Sequence, residues 1–154
     1  MIVFRLLDAE IAGKYRQEIA RFYYDNVRSN AFYNHYTFEE AYEKIGGLIS
    51  HLLDGTAIAY GAFEYEELCG FIWAYRHPFR EEKRMYVSEI RVKEEYRHRG
   101  IGTELLRLVE AKAKEIGIGA MYLHAEANNA DALKFYKDLG YKEERIQFRK
   151  EISL

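Results

Sequence analysis

Tyr96-Arg-His-Arg-Gly-Ile-Gly102 follows directly on the strand-like run Val87–Val92 and opens a periodic helix that starts at Thr103. A strand, a basic glycine-containing turn and a helix N-terminus make an anion-binding device. Glycine lets the backbone approach a ligand and present successive N–H groups, and the helix dipole adds about half a positive charge at the same point. The guest that suits such a turn is a phosphate or pyrophosphate, held by the backbone amides of residues 98–103.

Spacing separates this turn from other phosphate-binding motifs. A Walker A loop needs a second glycine five residues after the first, and counting from Gly100 that position is Leu105. A dinucleotide fingerprint needs its third glycine or alanine at the same place. Both fail. What remains is Arg97, Gly100 and Gly102 in the pattern Arg-x-x-Gly-x-Gly, which resembles the acetyl-CoA pyrophosphate loop of the GNAT superfamily of N-acetyltransferases. Downstream, Asn129-Ala-Asp-Ala132-Leu-Lys-Phe-Tyr136-Lys-Asp-Leu-Gly140-Tyr141 resembles the family's N-x-x-A-x-x-x-Y-x-x-x-G-[FY] segment at every fixed position. The two motifs stand in the family's order, and the resemblance covers residues 86–141. Residues 1–80 carry no motif of their own.

The resemblance implies an α/β (α+β) fold of the GNAT acyl-CoA N-acyltransferase type. This is a mixed, mainly antiparallel sheet flanked by helices and splayed between the strand ending at Val92 and the one starting near Ala120. It also implies acetyl transfer from acetyl-CoA, as donor substrate, to a primary amine on a small molecule, peptide or protein. A module that binds CoA without turning it over is the rival reading, and an intact Tyr136 argues against it. Expected coenzyme contacts are Ile90, Arg91 and Val92 on the strand; Arg97, His98, Arg99, Gly100, Ile101, Gly102 and Thr103 in the turn; and Asn129 and Tyr136 downstream.

Length and charge narrow the remaining classes. A chain of 154 residues suits one domain, residues 1–154, with one core. Charged residues make up 31 % of it, and no apolar run approaches the ~20 residues of a membrane span. Met-Ile-Val-Phe-Arg at the start lacks the layout of a signal peptide. A soluble cytoplasmic protein with no membrane partner is expected. The net charge of −2 argues against nucleic acid, which needs a basic face, whereas Lys93, Arg97 and Arg99 suffice for one coenzyme. The single Cys69 excludes an internal disulfide and reads as a buried hairpin residue; no Cys/His cluster has metal-ligand spacing, so no metal is expected. Oligomeric state is open, with room for a homodimer.

The element order follows from periodicity. Val3–Leu6 reads as a strand, and Asp8 can cap a helix with apolar positions Ile11, Tyr15, Ile19, Phe22 and Tyr23. Thr37-Phe-Glu-Glu40 is a capping box opening a helix through Tyr42, Ile45, Ile49 and Leu52. Ala57–Tyr65 and Leu68–His77 suit a hairpin, and Met85–Val92 a third strand. The helix after the turn turns Leu105, Leu108, Val109 and Ile116 inward. Ala120–Ala125 then reads as a strand, Asn129–Leu139 as a helix, and Tyr141–Ile152 as one or two final strands. The predicted order is β-α-α-β-β-β-α-β-α-β.

Acetyl transfer needs a neutral amine, a stabilised oxyanion and a thiolate that can leave. By the resemblance, the backbone N–H of Ile90 serves the oxyanion and Val92 bonds the pantetheine as a neighbouring strand would. Tyr136 matches the general acid for the departing sulfur, and its phenol, with an ordinary pKa of about 10, holds a proton to give. The competing reading is a helix tyrosine packed in the core. Asn129 can cap its helix, bond the pantetheine, or both. Glu89 is the candidate base, with Tyr86 and Glu126 as runners-up, water-mediated deprotonation without a dedicated base as a further alternative, and a solvated surface glutamate as the bland one. In a regular strand Glu89 points away from its neighbours Ser88 and Ile90; the resemblance implies a bulge that re-aims it. Phe22, Tyr23, Tyr24, Phe32, Tyr33, Tyr36 and Phe38 could wall an acceptor pocket, or simply pack the helices.

Overall fold

The computed structural model describes residues 1–28 and 35–154, divided into two units, Met1–Leu123 and His124–Leu154. The first unit is built on a five-stranded sheet in the order β1-β2-β3-β4-β5. The strands are Ile2–Leu6 (β1), Ala57–Glu64 (β2), Glu67–Arg76 (β3), Arg84–Val92 (β4) and Ala120–Tyr122 (β5). β1 to β4 pair antiparallel and β5 lies parallel to β4. The apolar runs of β2 and β3 are buried on both faces, because helices cover both sides of the sheet. Cys69 is fully buried there, its thiol donating to the Ala62 carbonyl at 3.1 Å.

On one face lie helices Ala9–Lys14 (α1), Arg16–Arg28 (α2) and Phe38–Leu53 (α3). Ile19, Ile45 and Leu48 pack there with Phe63, Phe71 and Trp73 in one apolar core. Asp8 accepts from the Ile11 N–H at 2.8 Å, as a cap should. The expected single first helix is two helices. Tyr15 leaves helical geometry (φ −101°, ψ 16°) because its ring is drawn onto Phe63, 5.1 Å between centroids, and its hydroxyl donates to the Glu66 carbonyl at 3.0 Å. Tertiary contact overrides helical periodicity at that residue. The capping box of α3 is complete: the Glu40 N–H donates to Thr37 Oγ1 at 3.1 Å and the Thr37 N–H to Glu40 Oε2 at 2.8 Å.

Helix Ile101–Glu115 (α4) packs on β2, β3 and β4, with Leu105 and Val109 fully buried. Ile116 is instead 40 % exposed. The helix ends at Glu115 and Gly117 turns the chain at φ 80°, so that buried Ile118 fills the place expected of Ile116 and its N–H reaches the Ala113 carbonyl at 2.8 Å. β5 is shorter than the expected Ala120–Ala125. It pairs only with Arg84, Met85 and Tyr86, so β4 beyond Tyr86 is bonded to β3 alone, and the predicted splay is present.

In the second unit, helix Ala130–Asp138 (α5) begins at Asn129, whose side chain accepts from the Ala132 N–H at 3.1 Å, and is followed by Gly140 at φ 93°. The final strands expected over Tyr141–Ile152 are not formed. Ile146, Phe148 and Ile152 fall on one strand parity, interrupted by Lys150, but they are 68, 90 and 78 % exposed. Alternation fits a segment to a sheet; a strand exists only where a second edge takes its hydrogen bonds, and no described residue does so here. The observed order is therefore β-α-α-α-β-β-β-α-β-α. No described helix is long and apolar enough to cross a membrane.

Thr37→Ala removes the side-chain half of the α3 cap and should cost about 0.5–2 kcal/mol of stability, read as a lower urea midpoint at unchanged slope. An unmoved midpoint would mean that packing alone holds the start of α3.

Candidate active site

β4 ends at Val92, and the Lys93 N–H still bonds across to the Cys69 carbonyl of β3 at 2.9 Å. A single 3₁₀ turn, Glu94–Tyr96, leads to Arg97. His98 (φ 61°) and Gly100 (φ 77°) both adopt the left-handed conformation, the kind of alternation that gathers backbone N–H groups to one side. α4 starts at Ile101, two residues before the sequence placed it. Its N-cap, Gly100, has no side chain to bond the first turn, so the amides that open the helix are left to an outside acceptor. A Cβ on Gly100 would meet nothing within 4 Å; what demands glycine is the backbone angle, while the space before the amides stays clear. Gly70 has the opposite reason. A Cβ there would lie 3.1 Å from the Arg91 carbonyl and 3.3 Å from Ile101 Cγ2, so its absence lets the start of α4 seat on β3.

Two of the three cations expected at this turn are already engaged. Lys93 Nζ is 2.7 Å from Glu67, and Arg99 lies 3.6 Å from Glu64 and over the Tyr96 ring. Arg97 donates Nε to the Val92 carbonyl at 3.2 Å and forms no ion pair among the described residues. An anion here would meet backbone dipoles and Arg97 first. The other two charges reinforce the field weakly, since exposed pairs are screened.

The same strand supplies an open edge. Residues 89–92 pair regularly with residues 70–73, and the Lys93 N–H points to β3. In an antiparallel ladder alternate residues face the same neighbour, so Arg91 also bonds towards β3, whereas the backbone groups of Ile90 and Val92 face the side where β5 has already diverged. The Val92 carbonyl is met there by Arg97. The Ile90 groups and the Val92 N–H are thereby directed into the splay.

Glu89 is aimed by a bulge. Ala74 pairs with Val87 and Trp73 with Glu89, leaving Ser88 as an extra residue. Val87 therefore takes the α4 side with Ala74, and Glu89 the α2 side with Trp73. In an unbroken strand Glu89 would share the face of Met85 and Val87. The carboxylate is 8 % exposed, the one buried charged residue among those described, so the solvated-surface reading does not hold. Its Oε1 accepts from Asn26 Nδ2 of α2 at 3.0 Å and from Arg91 Nε at 3.1 Å. Burial raises the Glu89 pKa, against the lowering by Arg91 and Asn26. Tyr86 stacks on Tyr122 at 4.9 Å, and Tyr122 bonds His77. Burial, with Tyr122 and Glu89 nearby, pushes the Tyr86 phenol up, and burial takes Tyr75 to about 12. Tyr86 is thus a proton holder, poorly suited to the base role considered for it.

A groove of about 380 Å³ runs between α2 and the end of β4, lined by Gln17, Glu18, Arg21, Phe22, Asp25 and Lys93. Phe22, its apolar wall, rests on Phe71 at 5.6 Å. Arg21 lies over Phe38 at 4.4 Å, and Lys93 is paired with Glu67, while Glu18 and Asp25 have no ion-pair partner among the described residues. The aromatics proposed as a pocket wall largely serve packing: Phe22, Tyr23, Tyr24, Tyr36 and Phe38 lie against the core, and guanidinium groups of Arg21 and Arg28 already cover Tyr24. Phe32 and Tyr33 lie outside the described residues.

Asn129, Glu126 and Tyr136 belong to the second unit. Glu126 is exposed. In its own unit Tyr136 of α5 is half-buried beside Tyr141, with ring centroids 5.7 Å apart. No group of three or more His, Cys, Asp or Glu among the described residues could hold a metal ion. Asn26 escaped the sequence reading. Its signal was a polar residue one helical turn after inward-facing Phe22, on the stripe that faces the sheet.

A raised carboxyl pKa has a signed consequence. The folded protein keeps a proton on Glu89 above its ordinary value of 4.5, where the unfolded chain releases it. The resulting stability is complete below that value and is lost as pH rises through the folded pKa. Glu89→Gln should therefore gain on wild type as pH is raised from about 4 to about 8 in thermal melts. A difference that stays constant with pH would show that the site does not disfavour the charged form.

The chain matches the acetyltransferase (GNAT) family over residues 14–141. It is 28 % identical over 86 residues to an uncharacterized N-acetyltransferase, YdgE, of Bacillus subtilis, covering 56 % of this chain and 55 % of that one. It is 38 % identical over 65 residues to an N-alpha-acetyltransferase of Sulfurisphaera tokodaii, covering 42 % and 39 %. The chain thus matches about half or less of the length of these curated relatives. Among solved structures, an aminoglycoside acetyltransferase from a soil metagenomic sample, in complex with sisomicin, shares the fold with a TM-score of 0.76 at 15 % identity, over 99 % of this chain and 97 % of that one. With a family match across most of its length and a sheet that opens beside a glycine-capped helix, this chain belongs to the GNAT acetyltransferase family.

Proposed function

We propose that the protein is an acetyl-CoA-dependent N-acetyltransferase, acting as a single domain over residues 1–154 on a primary amine. The observation that carries this is the continuity of one strand: the open edge of β4 at Ile90 and Val92 runs directly into the glycine-capped N-terminus of α4. An extended amide chain ending in a pyrophosphate fits that order of groups. Ile90, Arg91 and Val92 would line the pantetheine; Arg97, His98, Arg99, Gly100, Ile101, Gly102 and Thr103 would hold the pyrophosphate, mostly through backbone. The donor supplies an activated acetyl thioester.

The chain's own residues supply the rest. Glu89, on the α2 face, takes a proton from the arriving ammonium, directly or through water. The Ile90 N–H is a fixed dipole for developing negative charge. Tyr136 keeps a proton for the departing sulfur and Asn129 bonds the pantetheine, both assigned by the motif rather than by their position relative to Glu89. Glu18 and Asp25, acidic residues of the α2 groove with no ion-pair partner among the described residues, favour a cationic amine over an alcohol. The relative named as an N-alpha-acetyltransferase supports a peptide amine as the second reading.

Gly100→Val should weaken CoA binding roughly tenfold or more, about 1.4 kcal/mol by titration calorimetry, with Gly100→Ala as the milder step. Wild-type affinity in a folded Val variant would sink the pyrophosphate placement. Tyr136→Phe removes one oxygen and should lower turnover by roughly 10²–10⁴-fold with little change in CoA affinity. A panel of polyamines, amino acids, aryl amines and peptides, followed by thiol release from acetyl-CoA, tests the acceptor. Activity confined to hydroxyl acceptors would refute the amine.

A further inference from the structure

We propose that Asn26 and Arg91 form a positioning clamp that holds Oε1 of Glu89 and reserves Oε2 for the acceptor. The proposal rests on the reading of Glu89 as the base. Both donors, Asn26 Nδ2 at 3.0 Å and Arg91 Nε at 3.1 Å, reach the same oxygen, and Oε2 takes no hydrogen bond from any described residue. The two come from different elements, one from α2 and one from β4, so the carboxylate plane is set from two directions. α2 is held in turn by Phe22, one turn before Asn26, resting on Phe71. An isolated carboxylate on a strand would rotate about its last bond, whose preference is broad; one fixed by two donors on one oxygen presents the other in a single direction.

The division of labour has a chemical reason. A carboxylate buried without donors would favour its protonated form and fail as a base, and a second cation in place of Asn26 would repel an ammonium. A neutral amide plus one guanidinium holds the charged form while leaving room for the cation. The proton passes from the ammonium nitrogen to Oε2, giving a neutral amine and a neutral carboxyl group. Other groups facing Glu89 are Tyr86 on β4, which keeps its proton; Trp73, Phe71 and Tyr75 on β3, of which only Tyr75 ionises, far above neutrality; and, on α2 beside Asn26, Asp25 at the groove.

The test is the acidic limb of the kcat/KM–pH profile with acetyl-CoA and the best amine of the panel, run beside a ¹³C NMR titration of the Glu89 carboxyl that needs no acceptor. Asn26→Ala should move both upward together by about one pH unit, the size expected for a hydrogen bond to a charged group. Asn26→Asp, which adds a negative charge, should move them further. Arg91→Lys, which keeps the charge but loses the Nε donor, should shift them in the same direction and serves if Asn26→Ala does not fold. Glu89→Gln should erase the limb. Survival of the limb in Glu89→Gln would overturn the base assignment itself. A limb erased there but unmoved in folded Asn26→Ala and Arg91→Lys, with rates lowered evenly at every pH, would overturn the clamp alone and leave Asn26 a structural residue.

Discussion

β4 is bonded along its whole length to β3, but to β5 only at Arg84, Met85 and Tyr86. That asymmetry is the constraint on which the site depends. A strand interior to a sheet has no backbone groups to offer; an edge strand offers all of one side but invites association with other chains. Here the strand is interior at one end and an edge at the other. The backbone groups of Ile90 and the N–H of Val92 thus become available only where the two strands part, and α4 begins a few residues beyond.

The two sides of β4 do different work because a bulge changes its phase. With Ser88 as the extra residue, Met85 and Val87 continue the core under α4 while Glu89 and Arg91 turn to the α2 face. One strand thereby serves a packed core, a backbone edge and a buried carboxylate. Burying that carboxylate is unfavourable on its own. Asn26 and Arg91 offset it in part, and the pKa stays raised.

The anion turn is economical in a similar way. Lys93 and Arg99 are tied to Glu67 and Glu64, so the positive character of the turn comes mainly from Arg97, left-handed His98 and Gly100, and the first amides of α4. Backbone donors are fixed by the fold and pay no side-chain entropy on binding. Gly70 shows how far the packing is arranged around this point, since a single methyl there would press on the Arg91 carbonyl and on Ile101.

Local chemistry was legible from the sequence. The caps at Asp8, Thr37 and Asn129, the hairpin of β2 and β3 and the turn at Gly100 all rest on interactions within a few residues, which a linear chain displays directly. The spacing of Arg97, Gly100 and Gly102, with that of Asn129 and Tyr136, carried the family in the same way. Tertiary structure decided what depends on residues far apart: the break of the first helix at Tyr15, drawn onto Phe63; the loss of strand character after Tyr141, where alternation met no second edge; the engagement of Lys93 and Arg99 by acids about 30 positions earlier; and the pairing of Glu89 with Asn26, 63 positions away. A hydrogen bond or a burial is a property of two distant segments at once. A sequence can mark a residue as able to make one, but only the folded chain brings its partner within 3 Å.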